Sequence, residues 1–178
     1  MSAEQERKPY SCANLQSLAY AAMSAVDGIV FGKAEARMYD IDSAGAIIPT
    51  ITSEDIVTIY PQGAADVVIM SSGFMTVYAG GSANVGTVQS GTQYIYGLCQ
   101  ITEMSGGTQY VSGNVGSAGI TSMFGGFQEI GAGGTGTVEK LSGGTQLVAG
   151  TVKSTTVYTG GTQILWQGAT LVSNTLVG

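Results

Sequence analysis

Five acidic side chains lie close together early in the chain: Asp40 and Asp42, Glu54 and Asp55, and Asp66. Two carboxylates facing one groove about 5–9.5 Å apart can hydrolyse a glycoside, one as acid and the other as base or nucleophile. In an extended segment Asp40 and Asp42 share a face, whereas the adjacent Glu54 and Asp55 point to opposite faces. Histidine is absent, which removes Ser-His-Asp and Cys-His nucleophiles and imidazole-zinc sites. Asp40-Ile41-Asp42-Ser43-Ala44-Gly45 echoes the start of a calcium loop, but the later acidic ligands are missing. Gly125-Gly126 and similar pairs lack the Lys-Ser/Thr of a phosphate loop. A solvated turn accounts better for 40–45, and all five acids precede the repeats, in what reads as cap or first coil. No catalytic, metal or cofactor-binding residue is assigned, and the chain is expected not to be an enzyme.

A repeated phrase sets the elements that must position any site. Gly107-Thr108-Gln109-Tyr110-Val111 returns as Gly144-Thr145-Gln146-Leu147-Val148 and Gly161-Thr162-Gln163-Ile164-Leu165. Looser copies open at Gly73, Gly91 and Gly126, so the lead glycines stand 16 to 19 residues apart. A strand phrase at that period marks a solenoid, in which each coil buries its apolar side only by stacking on the next. The pairs Gly106-Gly107, Gly125-Gly126, Gly143-Gly144 and Gly160-Gly161 supply corners, and one glycine of each pair is expected at positive φ. After the corner the phrase alternates: Gln109 polar, Tyr110 variable, Val111 apolar. Val77, Ile95, Val111, Ile130, Val148 and Leu165 are therefore expected in one inward column. Val115, Val138, Val152 and Val172 are candidates for the inward side of a second strand. Thr, Gln, Ser and Tyr are left for the outer faces.

The expected architecture is all-β: a β-helix of about six coils of roughly 18 residues over 51–178. Residues 1–50 are expected to form a small α/β cap, because a solenoid end exposes its interior and an unpaired strand edge. Within it, Ser11 caps a helix from about Ala13 to Val26, with Leu15, Leu18, Ala19, Ala22, Met23 and Val26 on one face. Strand-like pieces follow at 29–31, 36–41, 46–48 and 56–60, then 67–70 leading into the repeats. A binding module of its own is the alternative for this region.

Composition narrows the partners. Net charge is −6, yet from residue 71 onward only Glu103, Glu129, Glu139, Lys140 and Lys153 are charged. Without a basic stripe, nucleic acid is not an expected partner. No apolar run reaches the roughly 18–20 residues that span a bilayer, and the mixed charges of residues 1–8 do not form an export signal. Cys12 and Cys99 are expected as free thiols. Tyr94, Tyr96, Tyr110, Tyr158 and Trp166 lie in or beside the strands. Outward aromatics would offer a surface to sugars or to another copy; Tyr94, Tyr110, Tyr158 and Trp166 are the contact candidates.

The phrase Ser-Gly-Gly-Thr-Gln with a following apolar pair, at residues 105–111 and 142–148, resembles the repeat of AIDA-like autotransporter adhesin passengers. The likeness covers about 63–178. It implies a right-handed β-helix displayed at a Gram-negative cell surface, adhesion, self-association and biofilm formation. Its partners would be further copies, or surface glycans or proteins of host or bacterium. It also implies a glycosyltransferase that adds heptoses, with Ser105, Thr108, Ser142, Thr145 and Thr162 as acceptors by motif position. Neither the family's export signal nor its membrane barrel is expected within these 178 residues, and 1–60 lie outside the resemblance. A phage tail-spike-like β-helix, binding or depolymerising polysaccharide, is the alternative.

Overall fold

A computed structural model describes residues 36–178. The helix expected over 13–26, the strand-like piece expected at 29–31 and Cys12 lie outside the described residues.

Short and longer strands alternate along the chain. β1 (Met38–Ile41), β2 (Ala46–Ile51), β3 (Ile56–Ile59) and β4 (Ala64–Met70) make two coils. β5 (Phe74–Val77), β6 (Ser82–Val88), β7 (Thr92–Ile95) and β8 (Leu98–Met104) make two more. β9 (Thr108–Val111), β10 (Ser117–Met123), β11 (Phe127–Ile130) and β12 (Thr135–Leu141) follow. In the last two coils the long strand is split: β13 (Thr145–Val148) precedes β14 (Thr151–Lys153) and β15 (Thr156–Val157), and β16 (Thr162–Leu165) precedes β17 (Thr170–Val172) and β18 (Thr175–Leu176). The short strands stack in parallel as an eight-stranded sheet, β1-β3-β5-β7-β9-β11-β13-β16, and the long strands stack as a second sheet. The described chain is thus an all-β solenoid.

Among the described residues eight coils are present where about six were expected. The phrase-based count missed the first two because no glycine leads their short strands. Asp55 stands before β3, and its carbonyl accepts the Phe74 N–H just as the Gly73 carbonyl accepts that of Thr92 one coil on. The pieces expected at 36–41 and 46–48, grouped in advance with the cap, are β1 and β2, in register on β3 and β4. The solenoid therefore begins well before residue 51.

Residue parity sets the interior. Val77, Ile95, Val111, Ile130, Val148 and Leu165 do stack in a single column. The first five are buried, while Leu165 is 48% exposed because β16 is the outermost strand of its sheet. Val138 and Val152 are likewise buried. Val115 and Val172 are not: Val115 lies in the loop between β9 and β10, and Val172 falls on the outward side of β17.

The main departure from expectation is glutamine. Gln93, Gln109, Gln128 and Gln146 are fully buried, two residues before the apolar column and on the same side of the strand. Each amide donates to the coil before it: Gln163 Nε2 to Gln146 Oε1 (2.6 Å), Gln146 to Gln128 (2.7 Å), Gln128 to Gln109 (2.7 Å) and Gln109 to Gln93 (3.0 Å). The row ends where Gln93 Nε2 meets Met70 Sδ at 3.2 Å. Buried amides are tolerated because each finds its partner directly above or below. Space for Gln93, Gln109 and Gln128 comes from the facing sheet, whose column is small at Cys99, Ala118 and Gly136 before it passes to Val152 in the coil of Gln146. A methyl group on Gly136 would overlap Ile130 Cδ1. Burial pushes the Cys99 thiol up to about 12, and it is free.

Glycine serves the corners as expected at Gly107 (φ +82°), Gly126 (φ +84°) and Gly144 (φ +75°). In the pair 160–161 the positive φ falls on Gly160 (+98°). Ser154 and Ser173 also take positive φ, which splits the last two long strands and turns Thr155 and Asn174 toward the interior. There Thr155 Oγ1 accepts the Val138 N–H (3.2 Å), and Asn174 Nδ2 donates to Gln163 Oε1 (3.4 Å).

Candidate binding faces

The fold gives the clustered acids different surroundings. Asp55 is buried at the corner between β2 and β3, where its carboxylate accepts from Arg37 Nε (2.9 Å), Arg37 Nη2 (2.6 Å), Thr52 N (2.7 Å) and Thr52 Oγ1 (2.8 Å). Burial alone would raise its pKa, but the Arg37 and Thr52 hydrogen bonds outweigh it and hold the carboxyl well below the usual range. Both oxygens are committed to the corner, so Asp55 is a structural group. Asp40 faces outward from β1, and Asp42 lies in the turn beyond it. Asp66 accepts from Asn84 Nδ2 at 2.9 Å on the long-strand sheet. Among the described residues no three His, Cys, Asp or Glu side chains are grouped to hold a metal ion.

The short-strand sheet has two outward columns. One runs Met38, Ile56, Phe74, Thr92, Thr108, Phe127, Thr145, Thr162. The other runs Asp40, Thr58, Thr76, Tyr94, Tyr110, Glu129, Leu147, Ile164 by the same register. Asp40 and Glu129 are its only charges. Met38, Ile56 and Phe74 are 54%, 42% and 50% exposed. Tyr94 and Tyr110 stack with ring centroids 5.3 Å apart. At the corner after the short strands, Tyr60, Tyr78 and Tyr96 form a second row with spacings of 5.8 and 6.2 Å. Aromatic contact of this offset kind fixes the rings in place.

The fold thus joins two of the four aromatic candidates and separates the others. Tyr158 lies at the corner after β15, and Trp166 follows β16, in coils beyond both stacked rows. Tyr60 and Tyr78 were missed in sequence, although their spacing of one coil from each other and from Tyr96 was a readable signal. Thr108, Thr145 and Thr162 share one outward column, interrupted by Phe127. Ser105 and Ser142 sit in corners, where their hydroxyls donate to the Val88 and Met123 carbonyls of the preceding coil (3.3 and 3.5 Å).

Compared with protein-family models, with curated proteins and with solved structures, the chain matches none. The β-solenoid is therefore the class its own geometry defines.

Proposed function

We propose that this chain is a structural, adhesive repeat protein that works by surface contact, chiefly between copies of itself, and performs no catalysis. One observation carries the reading: the short-strand sheet offers a long, regular outer face with aromatic and aliphatic side chains and only Asp40 and Glu129 as charges. Exposed apolar area of this kind marks interaction surfaces. Low charge leaves little repulsion between copies, and repetition lets many weak contacts act together. The likeness of the repeat phrase to autotransporter adhesin passengers points the same way, toward display at a Gram-negative surface. Under that reading Thr108, Thr145 and Thr162, aligned on this face, are the foremost heptose acceptors, beside Ser105 and Ser142.

Sedimentation velocity at rising protein concentration, at two ionic strengths, tests the proposal. The sedimentation coefficient is expected to climb with concentration and to respond only mildly to salt. Phe74→Glu and Tyr94→Glu, both outward substitutions, should keep the solenoid and abolish the climb. A strictly monomeric protein that releases reducing ends from bacterial polysaccharide would overturn the reading in favour of a depolymerase.

A further inference from the structure

The long-strand sheet carries a feature that the contact face does not use. Two depressions on its outer side, of about 480 and about 170 Å³, share Gln100 and Thr121 and so form one trough. The trough crosses β4, β6, β8, β10 and β12 along the solenoid axis. One side is the outward column Asp66, Asn84, Gln100, Gly119, Thr137. The other is Val68, Gly86, Thr102, Thr121 and Glu139. Gly119 leaves a gap in the first wall, and the Gln100 amide leans into the place a side chain there would take.

The chemistry of the lining selects a ligand class. Asn84, Gln100, Thr102, Thr121 and Thr137 each donate and accept hydrogen bonds, as the hydroxyls of a sugar do. Val68, 53% exposed, adds an apolar strip. No lysine or arginine lines the trough, and its charges are Asp66 and Glu139 near the two ends, so polyanions are repelled. An extended peptide fares no better. It would run across strands whose backbone groups are already paired, with no edge to join. From the Asp66 row to the Thr137 row is four coil steps, or ~19 Å at the usual strand spacing. We infer that the trough binds an extended, neutral polysaccharide lying along the solenoid axis. It does not cleave it: Asp66 and Glu139 are four coils apart, far beyond the about 5–9.5 Å of a glycosidase pair.

Titrating the full chain by calorimetry and by amide chemical-shift mapping with cellohexaose, xylohexaose and maltoheptaose, three neutral glucan or xylan oligomers, tests this. At least one is expected to bind with millimolar or tighter affinity and to shift the amides of Asn84, Gln100, Gly119 and Thr121. Gly119→Gln fills the trough: Gly119 does not have positive φ, and the end of the flexible Gln100 side chain swings aside to admit the new Cβ. That substitution should weaken binding about ten-fold or more, the worth of a hydrogen bond or two. Gln100→Ala, a truncation of an exposed side chain, should do the same should the first variant fold poorly. Both should retain the concentration-dependent sedimentation of the parent, so loss of the trough is read separately from loss of the contact face. Silence with all three oligomers overturns the inference. So does binding that both variants leave unchanged, shifts confined to the short-strand sheet, or stronger binding of polygalacturonate.

Discussion

Gln128 sits between two amides, donating to Gln109 Oε1 and accepting from Gln146 Nε2, both at 2.7 Å. Replacing it with leucine would strand one buried acceptor and one buried donor, at about 1–3 kcal/mol for each. Gln128→Leu is accordingly expected to lower stability by about 2–6 kcal/mol in urea titrations. Gln93→Met should cost less, since only Gln109 Nε2 loses an acceptor and Cys99 Sγ remains 3.8 Å from it. The adjacent coil already places Met75 in that column. Equal losses for the two variants would mean that the row contributes nothing as a row. Asp55 carries a pH dependence. Its folded-state pKa lies below the ordinary 3.8, so the folded state binds fewer protons. The stabilisation is complete above that ordinary value and drains away as pH falls through and below it. Hydrogen exchange of the Phe74 amide, bonded to the Asp55 carbonyl, should accelerate over that acidic range, and Asp55→Asn should flatten the change.

At the scale of the element, corners differ in what they tolerate. Gly126 combines positive φ with crowding: a Cβ there would lie 2.7 Å from the Gly107 carbonyl oxygen and 2.8 Å from the Gly106 carbonyl carbon. Gly113 also has positive φ (+81°) but nothing within 4 Å. Asparagine accepts the left-handed region better than most residues, so it separates the two causes. Gly113→Asn should leave the melting temperature nearly unchanged, while Gly126→Asn should lower it clearly. A similar fall in both would assign the whole cost to backbone conformation. Such corners, and the column from Val77 to Leu165, were legible in sequence because glycine and valine say the same thing locally and globally. The glutamines were not, because a polar residue in an alternating phrase reads as outward. The parity of Gln109 with Val111 held the answer, since residues two apart share a face. The first two coils were hidden for another reason: Arg37 before β1 and the hydrogen-bonded Asp55 before β3 stand where glycine announces the others. The trough was illegible too, being made of side chains brought together only by stacking coils 16 to 19 residues apart.

For the molecule as a whole, stacking means that each coil is supported by its neighbours alone. Support is weakest at an outermost coil, and there Leu165, Leu171, Val172, Leu176 and Val177 are 39–82% exposed. The single tryptophan, Trp166, lies in that coil and is 56% exposed. Its emission is expected to change at lower urea than the far-ultraviolet circular dichroism, a departure from two-state behaviour. Coincident transitions would mean that the eight coils melt as one unit.

The glutamine row also has a heading. From Gln163 to Gln93 every amide gives its proton toward the same end, so the interior distinguishes forward from backward much as a template does. A coil laid down after Gln146 joins the row only by offering an amide N–H to the carbonyl oxygen that Gln146 leaves open. Slippage by one residue would carry Gln163 outward and bring Thr162 or Ile164 inside, leaving the Gln146 carbonyl oxygen without the Gln163 amide. From Gln93 to Gln163 the row therefore favours one register over its neighbours, while the coils before it, with Val57 and Met75 in the same column, hold register by apolar packing.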